Sequence, residues 1–187
     1  MKTTKTTLIT ETIFSDNGKK RYLLRKEWDT SKPKLTIIML APSEASGVEL
    51  DTSTQLVLNN AVRLGYGSVD VVNLFSTLND FSLKKAETDD IDNLKTILNS
   101  AQNANTTIYA AGVGKAKNRT FQERQKTVLN ELNLSGVKLH CLCNKDNEAR
   151  LQHPLSPAVR IWNLSPFTID EVLDKEDIIE LPTKKKN

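Results

Sequence analysis

The chain has 187 residues, 38% of them hydrophobic and 26% charged, with a formal net charge of +3. That is the length of one globular domain with a full core. No apolar run approaches the length needed to cross a bilayer, and the first seven residues, Met1-Lys-Thr-Thr-Lys-Thr-Thr7, lack the apolar stretch of a secretory signal. A cytoplasmic protein is the expectation. The charge is uneven: residues 1–34 carry nine basic and four acidic side chains, and Lys184-Lys-Lys186 forms a small basic tail. Such ends either touch anionic partners or are simply solvated.

Thr7 to Phe14 alternates as a half-buried strand. Asp16-Asn-Gly18 marks a turn and Arg21 to Arg25 a returning strand, so an N-terminal antiparallel hairpin is expected. Leu35–Leu40 is almost continuously apolar, the pattern of a strand covered on both faces. A helix follows, opened by Asp51 or by Thr52 and Gln55 at capping-box spacing. Its apolar positions are Leu56, Leu58, Ala61, Val62 and Leu64, and Gly65 ends it.

Val69–Phe75 reads as the second core strand, and Asp89–Asn103 as a helix with Ile91, Leu94, Ile97, Leu98 and Ala101 on one stripe. Thr106–Gly112 is the third strand. Thr120 and Glu123 form another capping-box pair, opening a helix that runs to about Leu132, and Val137–Cys143 is the fourth strand. Thr168–Leu173 is a short helix candidate. Strand and helix alternate, which predicts one three-layer α/β/α domain over residues 1–187, with a central four-stranded, mostly parallel sheet plus the hairpin.

Cys141 and Cys143 are one residue apart on one strand, where a disulfide would be strained, so buried free thiols are expected. With two histidines in the chain, neither a zinc site nor any other metal or cofactor site is expected.

In an open parallel sheet, ligands bind outside the carboxyl ends of the strands. This rule gathers Ser43 and Glu44, Asn73 and Phe75, Gly112, and the loop ending at His153 into one candidate site. Asp51 can hold a water or a ligand group, or be a plain N-cap. Ser43 has no nucleophile-elbow spacing and reads as a hydrogen-bonding loop hydroxyl. Asn73 can pair with the edge of a base or satisfy local backbone. Phe75 can stack on a planar ligand or belong to the core. Gly112-Val-Gly114, with Lys115, Lys117 and Arg119, can cradle phosphate or be a solvated basic loop. His153, in a loop before Pro154, can donate to developing negative charge or move a proton, whereas His140, inside the fourth strand, reads as structural.

The ordered set Ile38-Met-Leu-Ala-Pro-Ser43, Asp51-Thr52, Gly65-Tyr-Gly67, Val72-Asn-Leu-Phe75, Ala111-Gly112 and His153-Pro-Leu155 resembles the domain-of-unknown-function family numbered 1643, of bacteria, phages and plasmids. The resemblance covers residues 21–155 and leaves 156–187 as an extension. The chain departs from the family pattern at Ala41, where Asn is usual, and at Ala111, where Trp is usual. More distantly the arrangement is similar to the uracil-DNA glycosylase superfamily. That likeness implies a flipped base in the crevice, stacked on Phe75 and read by Asn73. Asp51 or Glu44 would position water, with Ser43, Thr52 and Gly112 lining the site and His153 stabilising the departing base. The expected partner is a nucleobase, nucleotide or nucleic acid. Two other roles remain open: a non-catalytic nucleotide- or nucleic-acid-binding module, and a protein-interaction module in phage–host conflict.

Overall fold

The structure, a computed structural model, describes residues 1–45, 47–80, 82–83, 90–115, 117–148 and 150–173. Its strands are β1 (Ile9–Phe14), β2 (Arg21–Glu27), β3 (Lys34–Met39), β4 (Ser68–Asn73), β5 (Thr106–Tyr109), β6 (Leu139–Cys143) and β7 (Asn163–Phe167). The helices are α1 (Thr52–Arg63), α2 (Ile91–Gln102) and α3 (Arg119–Leu134). The basic tail lies outside the described residues.

The seven strands form one mixed sheet in the order β1-β2-β4-β3-β5-β6-β7. β3 pairs parallel with β4 and β5, and β5 with β6; β1–β2, β2–β4 and β6–β7 are antiparallel. The sheet is therefore larger than the four-stranded core expected from sequence. The hairpin joins it directly through β2, and β7 adds a strand that no pattern announced. Asn163-Leu-Ser-Pro-Phe167 contains a proline and does not alternate, so it lacks a strand signature.

The strands sort their side chains by alternation. Ile37, Met39, Val69 and Val71 face α1 through Val57 and Ala61, with Trp162 closing that layer. Ile38 and Val72 face α2 and α3 through Ile97, Ala101, Val128 and Leu129. Helices cover both faces, which is why β3 and β4 are buried almost throughout. Among the described residues no helix is long and apolar enough to cross a membrane.

The helix stripes differ in detail from the expected ones. α1 buries Thr54, Val57, Asn60 and Ala61, while Val62 is exposed. α2 buries Asn93, Ile97, Ser100 and Ala101 and leaves Ile91 exposed. The polar members are buried because they serve backbone: Asn93 Nδ2 donates to the Asn73 and Leu74 carbonyls at 3.0 and 3.1 Å, and Asn60 Nδ2 to the Arg160 carbonyl at 3.1 Å. The caps also differ from two expected boxes. Asp51 caps α1, ahead of Thr52; Asn118 caps α3, accepting from the Phe121 amide at 2.9 Å, so Thr120 lies inside the helix. Residues 168–173 make only a single 3-10 turn, Ile169–Glu171, behind a Thr168 capping box. Gly65, at φ +86°, ends α1 as expected. Cys141 and Cys143 are both free and buried.

Candidate functional site

At the carboxyl end of β3 the chain leaves the sheet at Leu40, runs through a buried Pro42, and enters α1 at Asp51. Asp51 organises this segment. One carboxylate oxygen accepts from the Thr54 amide at 2.6 Å, the N-cap bond of α1, and the other accepts a short hydrogen bond from the Ser43 hydroxyl. Burial pushes the Asp51 carboxyl up, but the Ser43 hydroxyl, the Thr54 amide and the Arg21 charge outweigh it, leaving its pKa below the ordinary carboxylate value. Asp51 is thus both a cap and a held anion. Glu44 and Thr52, on either side of this arrangement, are exposed.

Arg21 is a member of the site that sequence reasoning passed over. It is 1% exposed, and its Nη1 donates to the Ser43 and Ala45 carbonyls at 3.2 and 2.5 Å. Lys26, equally buried, donates to the Thr10 hydroxyl at 2.9 Å and to the Gly47 carbonyl. Two cations of β2 therefore hold the backbone carbonyls of Ser43, Ala45 and Gly47. Their only sequence signal is a basic residue at inward positions of a strand, which ordinarily marks a solvent face.

Asn73 ends β4 in register with Met39. It is 1% exposed, and among the described residues neither polar atom of its amide has a hydrogen-bond partner. An unpaired buried polar group costs about 1–3 kcal/mol, so this amide gains from any ligand atom that reaches it. Phe75 is a core residue, packed with Leu74 and Phe121 in the layer under α3. Of the two roles open to it from the sequence, the structure shows the core one. Arg124, fully buried, donates to the carbonyl of the preceding residue, Leu74, at 2.9 Å.

The open part of the site lies between the strand ends of β5 and β6. A cleft of about 520 Å³ is lined by Leu40, Ala111, Gly112, Val113, His153 and Ser156, among others. Ala111 is part of that wall. Gly112, at φ +78°, touches His153: a Cβ there would lie 3.1 Å from the His153 Cβ. The Leu155 amide donates to His153 Nδ1 at 3.2 Å. Nδ1 is thereby the acceptor nitrogen, and the ring proton sits on Nε2, for which no partner occurs among the described residues. Burial lowers the His153 pKa and the Asp51 charge only partly offsets it, so the ring is neutral at pH 7.

The structure thus brings Arg21 and His153 each within electrostatic reach of Asp51, and Gly112 close to His153. Asn73 and Phe75 lie in the packed interior rather than on the cleft wall. Lys115, Lys117 and Arg119 follow the glycine loop as exposed cations, and Arg119 pairs with Glu123 at 2.8 Å. His140 lies in β6, as expected. Among the described residues no cluster of three or more His, Cys, Asp or Glu side chains is placed to hold a metal ion.

The family model for a protein of unknown function, DUF1643, matches residues 21–155. The chain belongs to that family. No curated protein and no solved structure matches it. The DUF1643 match starts at Arg21 and ends at Leu155, so it contains Arg21, Ser43, Asp51, Asn73, Gly112 and His153, while β1 and β7 lie outside it.

Proposed function

We propose that this DUF1643 protein recognises a nucleobase, free or as part of a nucleotide or nucleic acid, at the carboxyl end of its parallel strands. In this reading the fold is a uracil-DNA-glycosylase-like variant of the α/β/α sandwich, working in the cytoplasm of a bacterium or a phage-infected cell. The observation that carries it is the neutral His153, held by the Leu155 amide so that Nε2–H is its available donor, on the wall of a cleft of about 520 Å³. A neutral imidazole donor suits a carbonyl oxygen or ring nitrogen at a base edge, and the volume falls in the range of small-molecule sites. The buried Asn73 amide supplies a second donor–acceptor pair of the same complementarity, reached if the base enters deeply.

N-glycosidic hydrolysis is the activity this arrangement serves best. Asp51, held ionised, orients a water or stabilises positive charge developing on the sugar, and His153 Nε2–H stabilises negative charge on the departing base. The test is release of free base from uracil-containing and modified DNA and from nucleotides. Loss of release in Asp51→Asn and in His153→Ala is the expected result; no release from any of these substrates removes the catalytic reading.

A non-catalytic nucleotide-binding module is the second reading, and two observations favour it. Both oxygens of Asp51 are already engaged, by Ser43 and Thr54, and Phe75 is buried in the core. It predicts thermal stabilisation by a nucleobase or nucleotide without turnover. Stabilisation abolished by His153→Ala supports recognition at the cleft in either reading, and no stabilisation by any base or nucleotide overturns both.

A further inference from the structure

The two edges of the sheet are built differently. β7 carries Pro166, which has no amide proton, and Arg150 covers the same strand, donating to the Pro166 carbonyl at 2.8 Å and to the Ser165 hydroxyl at 2.6 Å. A strand approaching that edge meets a proline and an occupied carbonyl, two of the ways proteins blunt an edge. β1 has neither. Its six residues contain no proline and no lysine, and its one register irregularity falls at its end, between Ile13 and Phe14. It pairs with β2 on one side, and among the described residues no strand pairs with the other.

β1 is also unusually apolar for an open edge. Leu8, Ile9, Ile13 and Phe14 are 48, 55, 40 and 40% exposed, four large apolar side chains within seven residues. Beside it runs a groove of about 380 Å³, lined by Glu11, Ile13, Leu23 and Arg25 and by Lys95 and Asn99 of α2.

We propose that β1 is a self-association edge, at which two copies of this chain pair β1 against β1 in antiparallel register and join their sheets into one. The strand is self-complementary about Glu11. With the two-fold axis there, Ile9 stands opposite the partner's Ile13, and Thr10 opposite the partner's Thr12. Strand side chains alternate, so the isoleucines of both copies share the groove face with Glu11 while the threonines share the other. The two Glu11 carboxylates meet at the axis, and each is already neutralised by its own Arg25, at 2.8 Å. Moving the axis half a step sets Thr10 against Ile13 and Glu11 against Thr12, which loses the match. Of these two registers, only the one centred on Glu11 pairs isoleucine with isoleucine and threonine with threonine.

One strand pair is a small interface, so the association is weak, with a dissociation constant on the order of 10 µM to 1 mM. Sedimentation velocity of the full chain from about 1 µM to about 1 mM reads it out. The expected result is a monomer that shifts to a dimer as concentration rises, together with slower amide exchange in β1. The Ile9→Lys/Ile13→Lys double variant is expected to stay monomeric over that range. Should the lysines unsettle the hairpin, Ile9→Thr/Ile13→Thr keeps β-branched residues in the strand and is expected to weaken association at least about tenfold. A wild-type chain that remains monomeric throughout overturns the proposal and leaves the edge to a strand of another protein or to solvent. Undiminished association in the threonine variant overturns it as well. Neither outcome depends on the ligand or the chemistry of the cleft.

Discussion

Gly112 and His153 lie so close together that a methyl group on residue 112 would stand 3.1 Å from the His153 Cβ. This close approach lies between the exit of β5 and the loop after β6, and the backbone at Gly112 is left-handed there, at φ +78°.

Gly112→Ala therefore meets two obstacles, a left-handed backbone and a crowded neighbour. The expected loss of stability is about 1–2 kcal/mol from the backbone conformation alone, a fall of about 2–8 °C in melting temperature. His153 must also shift, so any ligand response of the cleft should weaken in the same variant. Chemical denaturation with an unchanged midpoint would show that the contact is not as close as described.

At Asp51 the capping and charge roles can be separated. Asn keeps an oxygen for the Thr54 amide, whereas Ala loses it, so Asp51→Ala should cost about 0.5–2 kcal/mol and Asp51→Asn less. Ser43→Ala removes one of the bonds that lower the Asp51 pKa, which should then rise, as read by carboxyl-carbon NMR titration. An unmoved titration would mean that Ser43 does not hold the carboxylate in solution.

His153 makes stability depend on pH in a predictable sense. Its pKa in the folded protein lies below the ordinary value of about 6.5, so the unfolded chain binds the proton more readily. Its contribution is fully present above that value and is lost as pH falls through the folded pKa. The His153→Gln variant should lose less stability than the wild type between neutral pH and the folded His153 pKa. Parallel pH–stability curves in that window would contradict a buried neutral imidazole.

Asp70 tests the other end of the sheet. It is fully buried in β4, where Arg25 Nε and Lys34 Nζ reach it at 2.7 Å each. Burial raises its pKa, but these two cations more than reverse that. The stability it supplies is present above the ordinary carboxylate value and is lost as pH falls through its folded pKa. Asp70→Asn should cost about 1–3 kcal/mol, limited because Arg25 and Lys34 are partly hydrated and can turn outward. An Asn variant as stable as the wild type at neutral pH, or acid unfolding unaltered by the substitution, would remove this role.

Much of the architecture is legible in the chain because hydrophobic periodicity is a local property. The apolar run at Leu35–Leu40, the Asp16-Asn-Gly18 turn and the helical stripe through Ile97 and Ala101 each need only their near neighbours to declare a strand, a turn or a helix. Asp51 as an N-cap and Gly65 as a helix stop are equally local. The candidate site is likewise placed by topology, since the rule that ligands gather at strand carboxyl ends needs only the order of elements.

What tertiary structure alone decided is where the polar side chains go. Arg21 and Lys26 look like surface cations of a hairpin, yet they are buried because the segment after β3 folds back over β2 and offers them its carbonyls. Phe75 looks like a stacking residue, yet it is packed in the core with Phe121, forty-six positions away. β7 forms because β6 has an open edge to fill, despite a proline in its sequence. His153 is given its tautomer by the Leu155 amide and its neutrality by burial. Hydrogen-bond demand and desolvation are satisfied between distant segments, so they cannot be read along the chain, whereas the alternation of apolar residues that builds β3 and α1 can.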